Sequence, residues 1–155
     1  MKIKRNYIII IWLIVLIWFA LFFYFFFQKK ISTPTVSFEN IKFNVEIADS
    51  DEERTRGLMY RESLWEKSAM IFVFPNADTH SFWMKNTLIP LDMIWIKNEW
   101  GKSHVVDIQT ALPCEQDPCR SYIPAWIADY VLEINAGLAE KYNIKKWDLV
   151  EINLE

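Results

Sequence analysis

The chain has 155 residues, a formal net charge of −3, and 52% hydrophobic and 16% aromatic residues. A chain of this length fits a single domain rather than several. The first 33 residues hold five basic and no acidic side chains, so residues 34–155 carry a net charge of −8. Because an acidic surface repels a phosphate backbone, this balance disfavours nucleic acid as a partner.

Residues 7–27 form an unbroken apolar run without a charge, a glycine or a proline. As a helix, this run would span about 30 Å, the thickness of the hydrocarbon core of a bilayer. A cleavable signal peptide has a shorter apolar core, about 7–15 residues, and ends at small residues, whereas this run ends in bulky ones. The run therefore predicts an uncleaved transmembrane anchor that contacts the lipid bilayer.

The charges on either side of the apolar run predict its orientation. Residues 1–6 carry three basic side chains, and two lysines follow residue 27. Together with the amino terminus, this bias places residues 1–6 in the cytoplasm and the rest of the chain outside it. We interpret residues 28–37, which contain serine, threonine and proline, as a linker. Residues 38–155 then form one extracytoplasmic domain on the cytoplasmic membrane.

The apolar pattern of this domain is typical of short strands separated by turn residues. The predicted strands are 41–47, 70–74, 79–84, 91–96, 102–109, 130–134 and 149–152. Because strands and helices do not alternate, we predict a mainly β fold. Its expected form is a jelly-roll-like sandwich or barrel with one or two short helices, behind a single transmembrane helix.

Two local signals predict where the chain turns. Ser50 and Glu53 have the spacing of a capping box, so a short helix should begin there and end at Gly57. Residues 98–101 combine asparagine and glycine between two strand-like segments, which predicts a hairpin turn.

Four segments resemble the signature blocks of the family called domain of unknown function 192. They are Arg56–Arg61, Met70–Phe74, Phe82–Asp92 and Val131–Gly137. The resemblance covers roughly residues 41–152 and implies a jelly-roll-like β sandwich, often behind a signal or an anchor. It implies no activity, because none is established for the family.

The last turn of the chain departs from the family pattern, which has a glycine at two places. Asn143 and Trp147 stand at those places here. Asparagine tolerates a left-handed backbone, but tryptophan does not adopt one readily. We therefore expect this turn to have a rebuilt backbone.

Asp92 lies between two apolar residues, where a carboxylate must be paired or have its pKa raised. We expect Lys85, Asn86 or Arg61 as its partner. In one interpretation, the pair is structural and holds in place the turn that precedes Asp92. In the other, these polar groups orient a ligand, with Trp83 as a stacking wall.

Glu133 alternates with two apolar residues of a predicted strand. It could form a second carboxylate beside Asp92, since glycoside hydrolysis uses such a pair. The alternative is a solvated strand residue or a turn anchor, because carboxylates with perturbed pKa values are uncommon on strands.

Cys114 and Cys119 are separated by four residues. Outside the cytoplasm, a disulfide between them is the expected state, because a redox site favours Cys-x-x-Cys. A zinc site would need His80 and His104 to converge on the cysteines, and their irregular spacing disfavours it. We predict neither a metal nor a cofactor.

The sequence contains no glycine-rich phosphate loop and no Gly-x-Ser-x-Gly motif. We therefore favour binding over catalysis, and we hypothesise that the domain holds a small or polymeric cell-envelope ligand such as a glycan. One alternative is a hydrolase that uses Asp92 and Glu133. Another is a structural or docking module of a membrane complex, which predicts a flat apolar patch for a membrane-protein partner. The candidate ligand-binding residues are Arg61, Trp83, Lys85, Asn86, Asp92 and Glu133.

Overall fold

The structure, a computed structural model, describes residues 2–27 and 33–155. The chain divides at residue 32 into two compact units. Residue 1 of the predicted cytoplasmic segment and residues 28–32 of the predicted linker lie outside the described residues.

The first unit contains helix α1 (Lys2–Phe27). Within it, Tyr7–Phe26 is long and apolar enough to cross a membrane. The described side chains of this helix are all exposed. The length and composition of Tyr7–Phe26 therefore agree with the anchor predicted at residues 7–27.

The second unit is built mainly from strands, with two short helices. Its elements are β1 (Thr35–Phe38), β2 (Ile41–Ala48), α2 (Asp51–Arg56), β3 (Ser68–Asp78), β4 (Phe82–Trp83), β5 (Leu91–Glu99), β6 (Lys102–Ala111), β7 (Ser121–Tyr122), β8 (Ala128–Asn135), α3 (Leu138–Lys141) and β9 (Leu149–Asn153). The predicted mainly β fold is confirmed.

Seven strands close into a barrel in the order β1-β2-β3-β8-β5-β6-β9, and β9 pairs with β1. The pair β2–β3 is parallel, and the other neighbours in the barrel are antiparallel. Strands β4 and β7 form a separate two-stranded sheet. The sequence analysis left open whether the domain is a sandwich or a barrel, and the structure shows a barrel.

The barrel begins before residue 38, within the range predicted as a linker. Val36 of β1 is fully buried, and it pairs with Phe43 on one side and Ile152 on the other. A four-residue strand has too few alternating positions to show a pattern, which is why the sequence did not reveal it.

Both predicted turn signals are confirmed. Ser50 caps α2: its hydroxyl accepts the Glu53 N–H, and the Glu53 carboxylate accepts the Ser50 N–H in return. The helix ends at Gly57, which has a φ of 47°. Trp100 and Gly101 both have positive φ in the hairpin between β5 and β6.

Two apolar clusters lie on opposite faces of the barrel wall. The inner cluster fills the barrel and draws residues from all seven strands, with Ile94 and Ile134 among them. The outer cluster covers β3, β8 and β5 from outside, and its residues include Met70, Met93 and Trp95. Connecting segments shield the outer cluster from solvent, so β5 is buried on both faces over Leu91–Ile96.

The expectation of a rebuilt last turn is wrong. Asn143 and Trp147 keep left-handed backbones, with φ values of 56° and 75°. The Trp147 N–H donates to Val105 O at 2.8 Å, and the Lys145 N–H donates to Asp148 Oδ2 at 2.7 Å. These hydrogen bonds hold the turn in place and offset a strain of about 1–3 kcal/mol at the tryptophan.

Candidate functional site

Two segments, residues 57–66 and 82–90, form a cover over the outer cluster. Leu58, Met84 and Ile89 anchor the cover, because their side chains are buried in that cluster. Four of the six candidate residues lie in these two segments: Arg61, Trp83, Lys85 and Asn86.

A backbone hydrogen bond joins the two segments of the cover. The Tyr60 N–H donates to Asn86 O at 2.8 Å. Both residues have positive φ, 65° at Tyr60 and 57° at Asn86. A left-handed tyrosine is strained, and such strain concentrates at functional sites in proteins. The sequence analysis missed Tyr60, since no local signal marks a tyrosine for this conformation.

Arg61 pairs with Glu46 of β2 instead of with Asp92. Its two guanidinium nitrogens donate to the two carboxylate oxygens at 2.5 and 2.6 Å. The hydrogen bond from Arg61 lowers the pKa of Glu46, despite partial burial that raises it. Arg61 thus fastens the cover to the barrel wall.

Lys85 also lies away from Asp92. Its Nζ is 3.3 Å from Asp117 Oδ2 and 5.8 Å from the centroid of the Trp83 ring. The indole of Trp83 is itself 50% exposed. Trp83 and Lys85 therefore form one outward surface, and the loop that contains Asp117 borders it.

A groove of about 380 Å³ runs from Trp83 to helix α2. It is lined by Asp51, Arg54, Thr55, Phe74, Ser81, Phe82 and Trp83. The lining combines aromatic rings with charged and hydroxyl groups, which is the mixture that small-molecule sites use.

Arg54 is fixed in this groove by several contacts. Its guanidinium donates to Val73 O at 2.7 Å and to Asp51 Oδ1 at 2.6 Å, and its Cζ lies 5.6 Å from the Phe74 ring centroid. The sequence analysis missed Arg54, Asp51 and Phe74, because the fold brings together segments that are some 20 residues apart.

Asp92 is buried on the inner face, and all three partners predicted for it are wrong. Its carboxylate accepts the Thr110 hydroxyl at 2.7 Å and the Ala139 N–H of α3 at 3.0 Å. On β5 it pairs with Ile134 of the inner cluster. The candidates in the cover lie outside the barrel wall, so they cannot reach it. Asp92 thus anchors α3 to the barrel.

Glu133 lies on the outer face, beneath the cover. Its side chain is only 4% exposed, so the interpretation as a solvated strand residue is wrong. Within residues 33–155, no hydrogen bond or ion pair joins its carboxyl to another residue. Burial raises its pKa to about 8. Its Oε2 is 4.0 Å from the position that a Cβ would take at Gly57.

The two carboxyls of the hydrolase hypothesis do not share a cleft. Asp92 pairs with Ile134, and the next pair along the same strands is Met93 with Glu133. Successive side chains of a strand point to opposite faces of the sheet, so Asp92 points into the barrel and Glu133 points out of it. A barrel wall separates the two groups, and this geometry removes the hydrolase alternative.

A second cavity, of about 780 Å³, lies along β1, β6 and β9. None of the six candidate residues lines it. The candidate residues that share a surface are therefore those of the cover. Of these, Trp83 also lines the neighbouring groove, so the cover and the groove meet at Trp83.

The sulfur atoms of Cys114 and Cys119 are 2.09 Å apart, a disulfide distance. Asp117 is the third member of a possible metal-ligating group with them, and no histidine of the described chain joins it. His80 stacks on Phe74, and His104 stacks on Trp147. The zinc alternative therefore finds no support in this geometry.

We expect Cys114 and Cys119 to be paired in the protein isolated from cells. Thiol alkylation of the unreduced, denatured chain should then label neither residue, because a disulfide persists in an oxidising compartment. Reduction before alkylation is the control and should allow both to be labelled. Labelling of both without reduction, or one zinc per chain, would contradict the pairing.

Comparison with known proteins places this barrel among relatives whose function is not established. The family model DUF192, described as "Uncharacterized ACR", matches residues 34–152. A UPF0127 protein of Thermococcus gammatolerans is 35% identical over 112 residues, which is 69% of this chain and 65% of that relative. A UPF0127 protein of Pyrococcus abyssi is also 35% identical over 112 residues, covering 69% of this chain and 84% of the relative.

A solved structure has a similar fold. It is a protein of unknown function from Novosphingobium aromaticivorans, 36% identical, with a TM-score of 0.67 over 76% of this chain and 83% of that one. The family resemblance of the signature segments is thus confirmed over nearly the whole domain, and the chain belongs to the DUF192 family of uncharacterised proteins.

Proposed function

We propose that the barrel is a binding module outside the cytoplasmic membrane that holds a cell-envelope glycan at Trp83. The observation that carries the proposal is the half-exposed indole at the end of a groove with charged and hydroxyl groups. An aromatic face packs against the apolar face of a sugar ring, while neighbouring polar groups accept and donate hydrogen bonds to its hydroxyls.

The chemistry of the groove favours a neutral or amino sugar. Asp51, Thr55 and Ser81 offer acceptors, and Arg54 offers a guanidinium held at a fixed position. The net charge of −8 on residues 34–155 opposes a polyanionic ligand. The apolar helix α1 would keep the module at the membrane surface, where the cell-envelope glycans lie.

The experiment measures binding of tetra-N-acetylchitotetraose to the full chain in detergent, by calorimetry or by NMR. Trp83→Ala should weaken binding about fivefold, since an aromatic contact contributes roughly 1 kcal/mol. Trp65→Ala is the matched control, because Trp65 is 86% exposed and does not line the groove.

Two results would overturn the proposal. One is the absence of binding by the wild-type chain to this probe and to peptidoglycan fragments. The other is equal binding by Trp83→Ala and wild type, because the sugar would then contact another surface.

A further inference from the structure

We infer that Glu133, Met70 and Met93 form a binding site for a soft monovalent metal ion of the Cu(I) class. The site lies beneath the cover, on the outer face of the barrel wall. It is separate from the groove at Trp83, and the inference does not depend on the proposed glycan.

The strand register places the three side chains in one row. Glu133 of β8 pairs directly with Met70 of β3 on one side and with Met93 of β5 on the other. Directly paired residues of neighbouring antiparallel strands point to the same face, with Cβ atoms about 5 Å apart. Two thioethers therefore flank one carboxyl, and neither methionine is more than 7% exposed.

The carboxyl in this row has no hydrogen-bond or ion-pair partner among the described residues, and with Glu133 only 4% exposed it keeps no more than slight contact with solvent. A buried carboxyl without a hydrogen bond or counter-ion is costly, so such groups are normally paired or bound to metals. The barrel supplies neither a cation nor a donor here. This orphaned group is the independent sign that something else binds at the row.

Gly57 of the cover lies next to the carboxyl and against the Phe72 ring. A Cβ at this position would lie 3.2 Å from Phe72 Cζ and 4.0 Å from Glu133 Oε2. A side chain at this position would press on Phe72, so the glycine allows the cover to approach the carboxyl closely.

The donor set selects the kind of ion. Thioether sulfur is a soft ligand that favours Cu(I), whereas Ca²⁺ and Mg²⁺ require six or more oxygens. One carboxylate and one monovalent cation give a neutral pair, which a buried site tolerates better than an excess charge. Methionines often fill gaps in apolar cores, but gap filling does not explain an unpaired carboxyl between two of them.

The test uses Ag(I), which has the ligand preference of Cu(I) and requires no reductant that would break the cysteine pair. The full chain in detergent, labelled with ¹³C at its methionine methyl groups, is titrated with Ag(I). We expect one ion per chain and a shift of the Met70 and Met93 methyl resonances. Absence of stoichiometric binding, or shifts confined to other methionines, would overturn the inference.

Substitutions test whether Glu133, Met70 and Met93 form the metal site. Loss of an outer partner of a metal ligand typically weakens binding 10–100-fold, so Met70→Leu with Met93→Leu should weaken Ag(I) binding by more than about 100-fold. Glu133→Gln should also weaken it, by at least about tenfold. Leucine conserves the volume of methionine, so the fold should persist, and circular dichroism checks that it does.

Met84→Leu is the matched control, because Met84 is 1% exposed in the same outer cluster but is not paired with Glu133. It should bind Ag(I) as wild type does. If Met84→Leu lost binding and the double variant retained it, the assignment to Met70 and Met93 would be wrong.

Discussion

Glu133→Gln should stabilise the barrel at neutral pH and remove the main pH dependence of its stability. Burial raises the pKa of Glu133 from 4.5 to about 8, so the folded chain binds this proton more tightly than the unfolded chain. As pH rises above 4.5, the unfolded chain releases the proton first, and the free energy of unfolding decreases until about pH 8. At about 1.4 kcal/mol per pKa unit, the wild type should lose roughly 5 kcal/mol across this window.

Glutamine has the shape of the protonated acid and remains neutral at every pH. The variant should therefore match the wild type below pH 4.5 and exceed it in stability near pH 8. The measurement is urea unfolding of both proteins in detergent at several pH values, followed by near-UV circular dichroism. It is made without added metal, so that no ion at Glu133 contributes.

Glu46→Gln is the matched control for this experiment. Glu46 is on the same face, two strands from Glu133, but it is exposed and paired with Arg61. The hydrogen bond from Arg61 lowers the pKa of Glu46, so its replacement should slightly reduce stability at neutral pH. If wild type and Glu133→Gln showed the same pH dependence, Glu133 would not be a buried, protonated acid.

Local signals were sufficient to predict much of the fold. The alternation over 41–47 predicted β2, since one side of that strand is solvated and the other packs in the barrel. The capping box at Ser50 and the turn at 98–101 depend on contacts within a few residues. Each signal required no knowledge of the distant chain.

The sequence could not predict whether the Asp92 side chain points into the barrel or out of it. Residues 91–96 are buried on both faces, so apolar residues occupy both faces and the period of two disappears. Without that contrast, nothing in the sequence distinguishes a side chain inside the barrel from one outside it. The three partners predicted for Asp92 were therefore all on the wrong side of the wall.

The environment of Glu133 depends on contacts that are distant in the chain. Gly57, which lies next to its carboxyl, is more than 70 residues earlier in the chain, and its paired neighbours Met70 and Met93 come from two other strands. The sequence could mark the carboxyl as unusual on its strand. Only the register of β3, β8 and β5 could reveal that no partner was available.

Trp147 shows why a departure from a family pattern does not by itself predict a rebuilt backbone. The turn is held by hydrogen bonds of its main chain and by Asp148, which do not depend on the side chain at Trp147. Its indole is 61% exposed and stacks on His104. The tertiary contacts therefore outweigh the backbone preference of the residue.

Asp92→Ala should destabilise the barrel by about 3 kcal/mol. The carboxylate accepts hydrogen bonds from the Thr110 hydroxyl and from the Ala139 N–H, and the second of these donors is buried. Alanine removes both acceptors and leaves the Ala139 N–H without a partner, which costs about 1–3 kcal/mol in addition to the lost bonds. Helix α3 would lose its link to β5. The measurement is urea unfolding in detergent, compared with wild type.

Asp92→Asn and Thr110→Val separate this role from a ligand-binding role. Asparagine can still accept the Ala139 N–H, and its amide can donate to the Thr110 hydroxyl, so it should cost only about 1 kcal/mol. Thr110→Val removes one hydrogen bond and should cost a similar amount. Because Asp92 points into the barrel, none of the three variants should change glycan binding at Trp83. A stable Asp92→Ala variant would contradict the anchoring role, since the buried Ala139 N–H would then have lost its acceptor without cost.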